Sequence, residues 1–320
     1  MTDSSPAAPS GQSDTALSEV EALADRIIEN VQRVIVGHRP EVVHVLTALF
    51  GRGHVLVEDV PGVGKTMLAR AIAQSFDGDF ERVQFTPDML PSDVTGVNVY
   101  DEHAGEFEFR PGPVFANVVL ADEINRAPPK TQSSLLEAME EAQVTVDGET
   151  HVIPQPFTVI ATQNDVERGP TYELPLAQRD RFTKKLRLGY PEEADETALL
   201  GRLTGHHPIG ELSSVATVAD LRDARDAVSE VYASEEIRSY VTRLARFTRT
   251  RADIGVSPRG SLAALRAAQA RAALDGRDYV IPDDVQTEVP VVFPHRIRLG
   301  SGYETATDLV EEALTAVSID

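Results

Sequence analysis

Val57-Glu58-Asp59-Val60-Pro61-Gly62-Val63-Gly64-Lys65-Thr66 joins a short β-branched run, Val55–Val57, to a stretch of helical periodicity over Lys65–Phe76. A strand that turns through proline and two glycines into a helix is the context a polyphosphate cradle requires. Gly62 and Gly64 let backbone N–H groups turn inward, and the helix N-terminus adds positive potential. Pro61 and Val63 complete the loop, and Met67 follows on the helix. In such a loop Lys65 reaches the β- and γ-phosphates of ATP while the Thr66 hydroxyl ligates Mg²⁺. The pattern GxxxxGK[ST] wants glycine where this chain has Asp59. The plainer alternative is a Gly/Pro turn before a helix; Gly-Lys-Thr at a strand-to-helix junction favours nucleotide.

Working outward, further apolar runs too short and too β-branched for helices occur at Glu81–Phe85, Val118–Ala121, Phe157–Thr162 and Lys185–Leu188. Helical stretches such as Lys130–Glu141 separate several of them, so an α/β fold with a five-stranded parallel sheet covered on both faces is expected. Val97–Tyr100 with Phe107–Phe109, and Val144–Val146 with His151–Ile153 across Asp147-Gly148, read as two inserted β-hairpins. The run Val118-Val119-Leu120-Ala121 ends in Asp122-Glu123, the form of a Walker B motif. Asp122 would hold Mg²⁺ through water and Glu123 would polarise the attacking water. Two solvated acids at a strand end are the competing reading.

At 320 residues the chain exceeds one typical core. Met1 to about Thr15 is polar and Pro-containing and reads as a disordered tail. Residues 16–190 form the nucleotide-binding α/β domain, opened by a helical segment over Ala16–Phe50 that is broken at Val36–Pro40. Residues 191–320 form a small all-α domain, with helical periodicity over Glu192–Leu203, Val218–Tyr232, Ser234–Arg249, Ser261–Leu274, Pro282–Val291 and Thr305–Val317. Cysteine is absent, which excludes disulfides, thiolate metal sites and a cysteine nucleophile. No apolar run approaches a bilayer span and the polar start lacks a signal peptide's apolar stretch, so a cytoplasmic protein without membrane insertion is expected. Fifty-one acidic against 30 basic residues give a net charge of −21, which repels phosphate backbones and argues against nucleic-acid partners. His206-His207 lacks neighbours at metal spacing, Ser257 and Ser261 read as caps of a helix beginning near Ser261, and Tyr279 reads as core.

At these residues the chain resembles the AAA+ ATPases, and specifically the MoxR family, from Ile35 to the C-terminus. The resemblance is carried by Val83-Gln84-Phe85-Thr86-Pro87-Asp88-Met89-Leu90-Pro91-Ser92-Asp93-Val94-Thr95-Gly96, by Pro111-Gly112-Pro113-Val114-Phe115-Ala116-Asn117, and by Asp122-Glu123-Ile124-Asn125-Arg126-Ala127-Pro128-Pro129-Lys130. Asp59 fits too, because family members often carry a non-glycine residue there.

The resemblance implies further roles. Asn164 matches the sensor 1 residue that orients the lytic water, with Asp165 where relatives often have proline. Arg181 matches the arginine finger that reaches the γ-phosphate of a neighbouring subunit, and Arg179 competes for that role. Arg259 matches sensor 2 on a helical lid, with ATP seated between lid and α/β domain. Val36-Gly37-His38 resembles the segment that packs on adenine. A finger donated in trans implies a homo-oligomeric ring, a hexamer, and the two hairpins match inserts that can line its channel. Relatives commonly act as chaperone-like factors on von Willebrand factor A-domain proteins or metalloenzymes. The alternatives are a nucleic-acid motor akin to MCM helicases and a nucleotide switch with little turnover.

Overall fold

A computed structural model of the chain describes residues 10–164, 171–203, 208–300 and 302–319. Its strands are β1 (Val55–Asp59), β2 (Phe80–Gln84), β3 (Gly96–Asp101), β4 (Glu106–Pro111), β5 (Val118–Asp122), β6 (Gln143–Val146), β7 (Glu149–Val152), β8 (Thr158–Asn164) and β9 (Lys184–Leu186). The five apolar runs pair as one parallel sheet in the order β2-β5-β8-β1-β9. β1 and β5 are buried along their whole length, as expected for strands covered on both faces. β1 leads away to the far edge at β2, whereas β8 leads past β1 to β9, so the chain reverses its direction of travel at the β8–β1 boundary. In open parallel sheets ligands bind beyond the carboxyl ends of strands at such a reversal. The register sets Asp59 beside Asn164 and Gln84 beside Asp122 at those ends.

The helices are α1 (Ser10–Gln32), α2 (Arg39–Phe50), α3 (Lys65–Gln74), α4 (Ser92–Thr95), α5 (Pro129–Glu141), α6 (Leu176–Arg179), α7 (Glu193–Leu203), α8 (Val218–Glu230), α9 (Glu235–Arg249), α10 (Pro258–Leu274), α11 (Pro282–Val292) and α12 (Ala306–Ala316). α1 differs from the expected tail over residues 1–15, because it already includes residues 10–15. A helix established by its apolar face at Leu17, Val20, Leu23, Ile27 and Val31 extends by one hydrogen bond per added residue, a small cost once nucleated. α1 packs on α2 and α3 but also on α8 and α10, so the N-terminal helices share one apolar core with the C-terminal ones.

Caps explain where the C-terminal helices start. Thr217, Ser234, Ser257 and Thr305 each accept a backbone N–H of the following first turn. Ser257 takes Gly260 N at 3.2 Å with Pro258 in the first turn, so α10 begins three residues before the expected Ser261. Tyr279, expected in the core, is 51% exposed. Its backbone bridges Tyr232 at the surface and leaves both rings outside.

Both hairpins form, β3–β4 and β6–β7. They lie side by side: Asn98 donates to Asp147 at 2.9 Å, and Phe109 stacks on His151 with ring centroids 3.7 Å apart. Toward the turn of the first hairpin, Tyr100 and Phe107 face each other edge-on at 5.3 Å, both largely exposed.

Candidate nucleotide site

The loop between β1 and α3 carries Gly62 at φ 91° and Gly64 at φ 96°, conformations that favour glycine. A Cβ at either would meet open space, so the backbone turn, not crowding, calls for glycine. Lys65 is buried and donates to Asp59 O at 2.6 Å, Val60 O at 2.9 Å and Asn164 Oδ1 at 2.9 Å. Its ammonium is thereby fixed between the loop and the end of β8.

Asp59 has a structural task that glycine could not perform. Its Oδ1 accepts Val60 N at 2.7 Å, and its Oδ2 accepts Leu188 N at 2.7 Å and Gly189 N at 2.6 Å. The carboxylate ties the start of the phosphate loop to the chain that leaves β9 for α7. Gly37 lies under α7, where a Cβ would collide with the Asp195 carboxylate. Val36 and Gly37 connect α1 to α2, and neighbouring Ile35 shares its apolar core with Val63 and Met67. Packing therefore relates this segment to the loop, with Pro61 and Gly62 exposed above it.

Asp122 ends β5 beneath Thr66, whose hydroxyl lies 3.3 Å from Asp122 Oδ2. Thr162 donates to Asp122 Oδ1 at 2.6 Å and accepts Glu123 N at 3.0 Å, which sets the turn at Glu123 with φ 56°. One hydroxyl facing one carboxylate suits Mg²⁺, which keeps most of its water and takes few protein ligands. Among the described residues no group of three or more His, Cys, Asp or Glu converges at metal-binding distance. Thr66 and Asp122 would hold the ion.

Glu123 is held by three side chains. Gln84 donates to its Oε2 at 2.8 Å, Arg126 to the same oxygen at 2.7 Å, and Asn164 to its Oε1 at 3.3 Å. Arg82 pairs with Asp122 Oδ2 at 2.7 Å. Sequence reasoning missed Arg82, Gln84 and Arg126 as parts of the site. The β2 pair carried a signal only through its register with β5, which the chain order does not reveal.

Arg181 and Arg259 lie elsewhere. Arg181 precedes β9 and pairs with Glu140 at 2.8 Å, and it also donates to Leu136 O at 2.7 Å. Arg259 in the first turn of α10 pairs with the other oxygen of the same Glu140. Both line a cleft with Gly53 and His54, at the amino end of β1. Lys65 lies beyond its carboxyl end, five residues away at about 3.3 Å per residue. The expectation that Arg259 completes a nucleotide site between the lid and the phosphate loop of its own chain is therefore not met. α10 packs on α2 and α11 at the opposite end of the sheet, because the segment around Asp180 is clamped to it.

That clamp is centred on a buried guanidinium. Arg296 donates to Asp180 Oδ1 at 2.7 Å and to the carbonyls of Phe182 at 2.7 Å and Thr183 at 3.1 Å, and Ser257 donates to Asp180 Oδ2 at 3.1 Å. Burial lowers the Arg296 pKa to about 10, still cationic at neutral pH. Nearby, Lys184 is wholly buried against Glu288 of α11 and Thr47 of α2. Burial pushes its pKa down, and Glu288 opposes the shift. Asp165 and His206-His207 lie outside the described residues.

The profile of the ATPase family associated with various cellular activities (AAA) matches residues 54–184, and that of the AAA lid domain matches residues 244–314. The uncharacterized protein YeaC of Bacillus subtilis is 50% identical over 94% of this chain and 96% of its own. Chaperone MoxR1 of Mycobacterium tuberculosis is 40% identical over 91% of this chain and 80% of its own, and protein MoxR of Methylorubrum extorquens 33% over 95% and 96%. The crystal structure of a proposed ATPase from Cytophaga hutchinsonii superposes with a TM-score of 0.89 at 35% identity, covering 97% of this chain and 98% of that one.

Proposed function

Because the chain belongs to the MoxR family of AAA+ ATPases, we propose that it hydrolyses ATP as a homo-oligomeric ring, a hexamer, and uses the cycle to remodel or mature client proteins. The observation that carries this reading is the separation of Lys65 from Arg181 and Arg259 by the length of β1. A phosphate bound at Lys65 is out of reach of both arginines of its own chain. An arginine finger is worth about 10³-fold or more in rate, so a second copy must supply it.

Within one such site each residue has a separable task. Lys65 and the amides of Gly62–Gly64 bind the phosphates, and Pro61, Val63 and Met67 shape the loop around them. Thr66 and Asp122 would hold magnesium, which would supply charge neutralisation at the phosphate oxygens. Glu123 accepts a proton from the water that attacks the γ-phosphorus, and Asn164 orients that water as the bond to the ADP oxygen breaks. Arg181 and Arg259 of the neighbouring copy stabilise charge on the transferring phosphoryl group. Val36 and Gly37 line the adenine end. The paired hairpins with exposed Tyr100 and Phe107 offer an apolar contact for a client. Clients are proposed to be von Willebrand factor A-domain proteins or metalloenzymes in the cytoplasm. Among the described residues no helix is long and apolar enough to cross a membrane.

Mixing two inactive variants tests the shared site. Lys65→Ala keeps the arginines but loses nucleotide, whereas Arg181→Ala keeps nucleotide but loses the finger. Mixed rings contain some complete sites, so ATPase activity should reappear on mixing; a mixture as inactive as its components refutes the arrangement.

A further inference from the structure

The cleft that holds Arg181 and Arg259 has a volume of about 350 Å³ and is lined by more cations than these two. Arg52, Arg266 and Arg296 also face it. Most of this charge is matched. Arg296 is bound to Asp180, Arg52 to Asp226, and Arg181 and Arg259 divide the two oxygens of Glu140. Arg266 differs: it is exposed, and among the described residues its side chain makes no ion pair or hydrogen bond.

Facing the cleft without a carboxylate partner, Arg266 is available to an anion from outside, beside two arginines that already share one. The cleft already shows how it holds one. Glu140 sits with one oxygen on each guanidinium, an arrangement a phosphate can reproduce with two of its own oxygens. Arg259 and Arg266 are seven residues apart on α10, two turns and about 10 Å along one face. Both project to the same cleft, with Leu262 and Ala263 between them. An extended Arg266 side chain would therefore reach the anion held at Arg259 from the far side.

We infer that Arg266 is a further phosphate-binding residue of the shared site, contacting the phosphate chain of ATP held by a second copy of this protein. This rests on the shared-site reading above. Arg181 and Arg259 meet the terminal phosphate in place of Glu140, and Arg266 meets the chain behind it. The contact is made to the ground state and the transition state alike, so it acts on KM more than on kcat.

The test measures the ATP dependence of ATPase activity in Arg266→Ala, at protein concentrations that saturate assembly. KM should rise about ten-fold, as for loss of one charge-assisted contact, with kcat within about two-fold. Arg266→Lys should recover part of the loss, since it keeps the charge but not the fork. Mixing Arg266→Ala with Lys65→Ala should add a component with the wild-type KM, because the active loops that neighbour a Lys65→Ala chain then meet an intact Arg266 in trans. An unchanged KM overturns the inference, as does a raised KM that mixing leaves raised. The mixture of Lys65→Ala with Arg181→Ala, run in parallel, separates the two claims. If it recovers activity while Arg266→Ala behaves as wild type, the shared site stands and the role of Arg266 falls.

Discussion

Asp59 accepts the backbone N–H of Gly189 at 2.6 Å, across the sheet edge from the phosphate loop to the connection that leaves for α7. Leu188 N reaches the same oxygen at 2.7 Å, and the site is buried. Asp59→Gly, which restores the common loop pattern, strips the backbone donors of Val60, Leu188 and Gly189 of their acceptor. Leaving such groups unmade costs about 1–3 kcal/mol each, so a loss of about 3 kcal/mol or more is expected, with Asp59→Asn losing less. Urea unfolding midpoints would check this; an unchanged midpoint for Asp59→Gly would mean that the staple contributes nothing.

Arg296→Met should uncouple Arg181, the proposed finger, from the helices behind it. The side chain is buried and serves Asp180, Phe182 and Thr183 together. The Asp180 carboxylate left behind is partly exposed, so the loss should fall below that of a wholly buried pair, about 3–5 kcal/mol. ATPase activity should fall with ATP affinity retained, and Arg296→Lys should not rescue it, because an ammonium cannot fork across the same acceptors. Thermal unfolding and a nucleotide titration on the same samples separate stability from rate.

Acid should destabilise the protein before its carboxylates protonate. His54 is buried between Met139 O, 3.1 Å from Nε2, and Val159 N, 3.0 Å from Nδ1. Burial lowers its pKa to about 4, and His295 is pushed down by burial and by Arg296. Both are neutral when folded and take up protons more readily when unfolded. Their contribution is present above about pH 6.5 and is lost as pH falls toward 4, about 3 kcal/mol for His54 alone. Unfolding free energies measured from about pH 7.5 down to about pH 5 should decline, and His54→Gln should decline less steeply. A flat wild-type profile would contradict the assignment.

Glu123→Gln should hold ATP without turning it over and so retain a client. Affinity capture in ATP should recover a von Willebrand-type protein or a metalloenzyme that Lys65→Ala does not recover. Recovery of nuclease-sensitive DNA in its place would favour the motor reading over remodelling.

The sheet was legible because β-branched runs bounded by Gly and Pro are local signals: Val118–Ala121 became β5 with one residue added, and Glu81–Phe85 became β2 shifted by one. The strand–turn–helix through Gly62–Lys65 and the strand ending at Asp122 were legible for the same reason, since strand and turn are contiguous. Gln84 and Arg126 were not. Each is one polar residue among many until the register of β2 with β5 brings Gln84 to Glu123 and the turn after β5 brings Arg126 back to it. Arg259 was placed by motif but not by position, because the packing of α10 depends on Ser257, Asp180 and Arg296, residues far apart in sequence. Tyr279 misled because an aromatic beside Val280 resembles a core pair, whereas only Val280 turns inward.

The clamp on Asp180 leaves no slack between Arg181 and the C-terminal helices. Ser257 grips one carboxylate oxygen and Arg296 the other. On the proposed reading, whatever tilts those helices after hydrolysis in one chain swings the finger that serves the next chain's nucleotide. Each chain is then a rigid lever between two active sites, and the order of firing around a ring is written into one aspartate held from both sides.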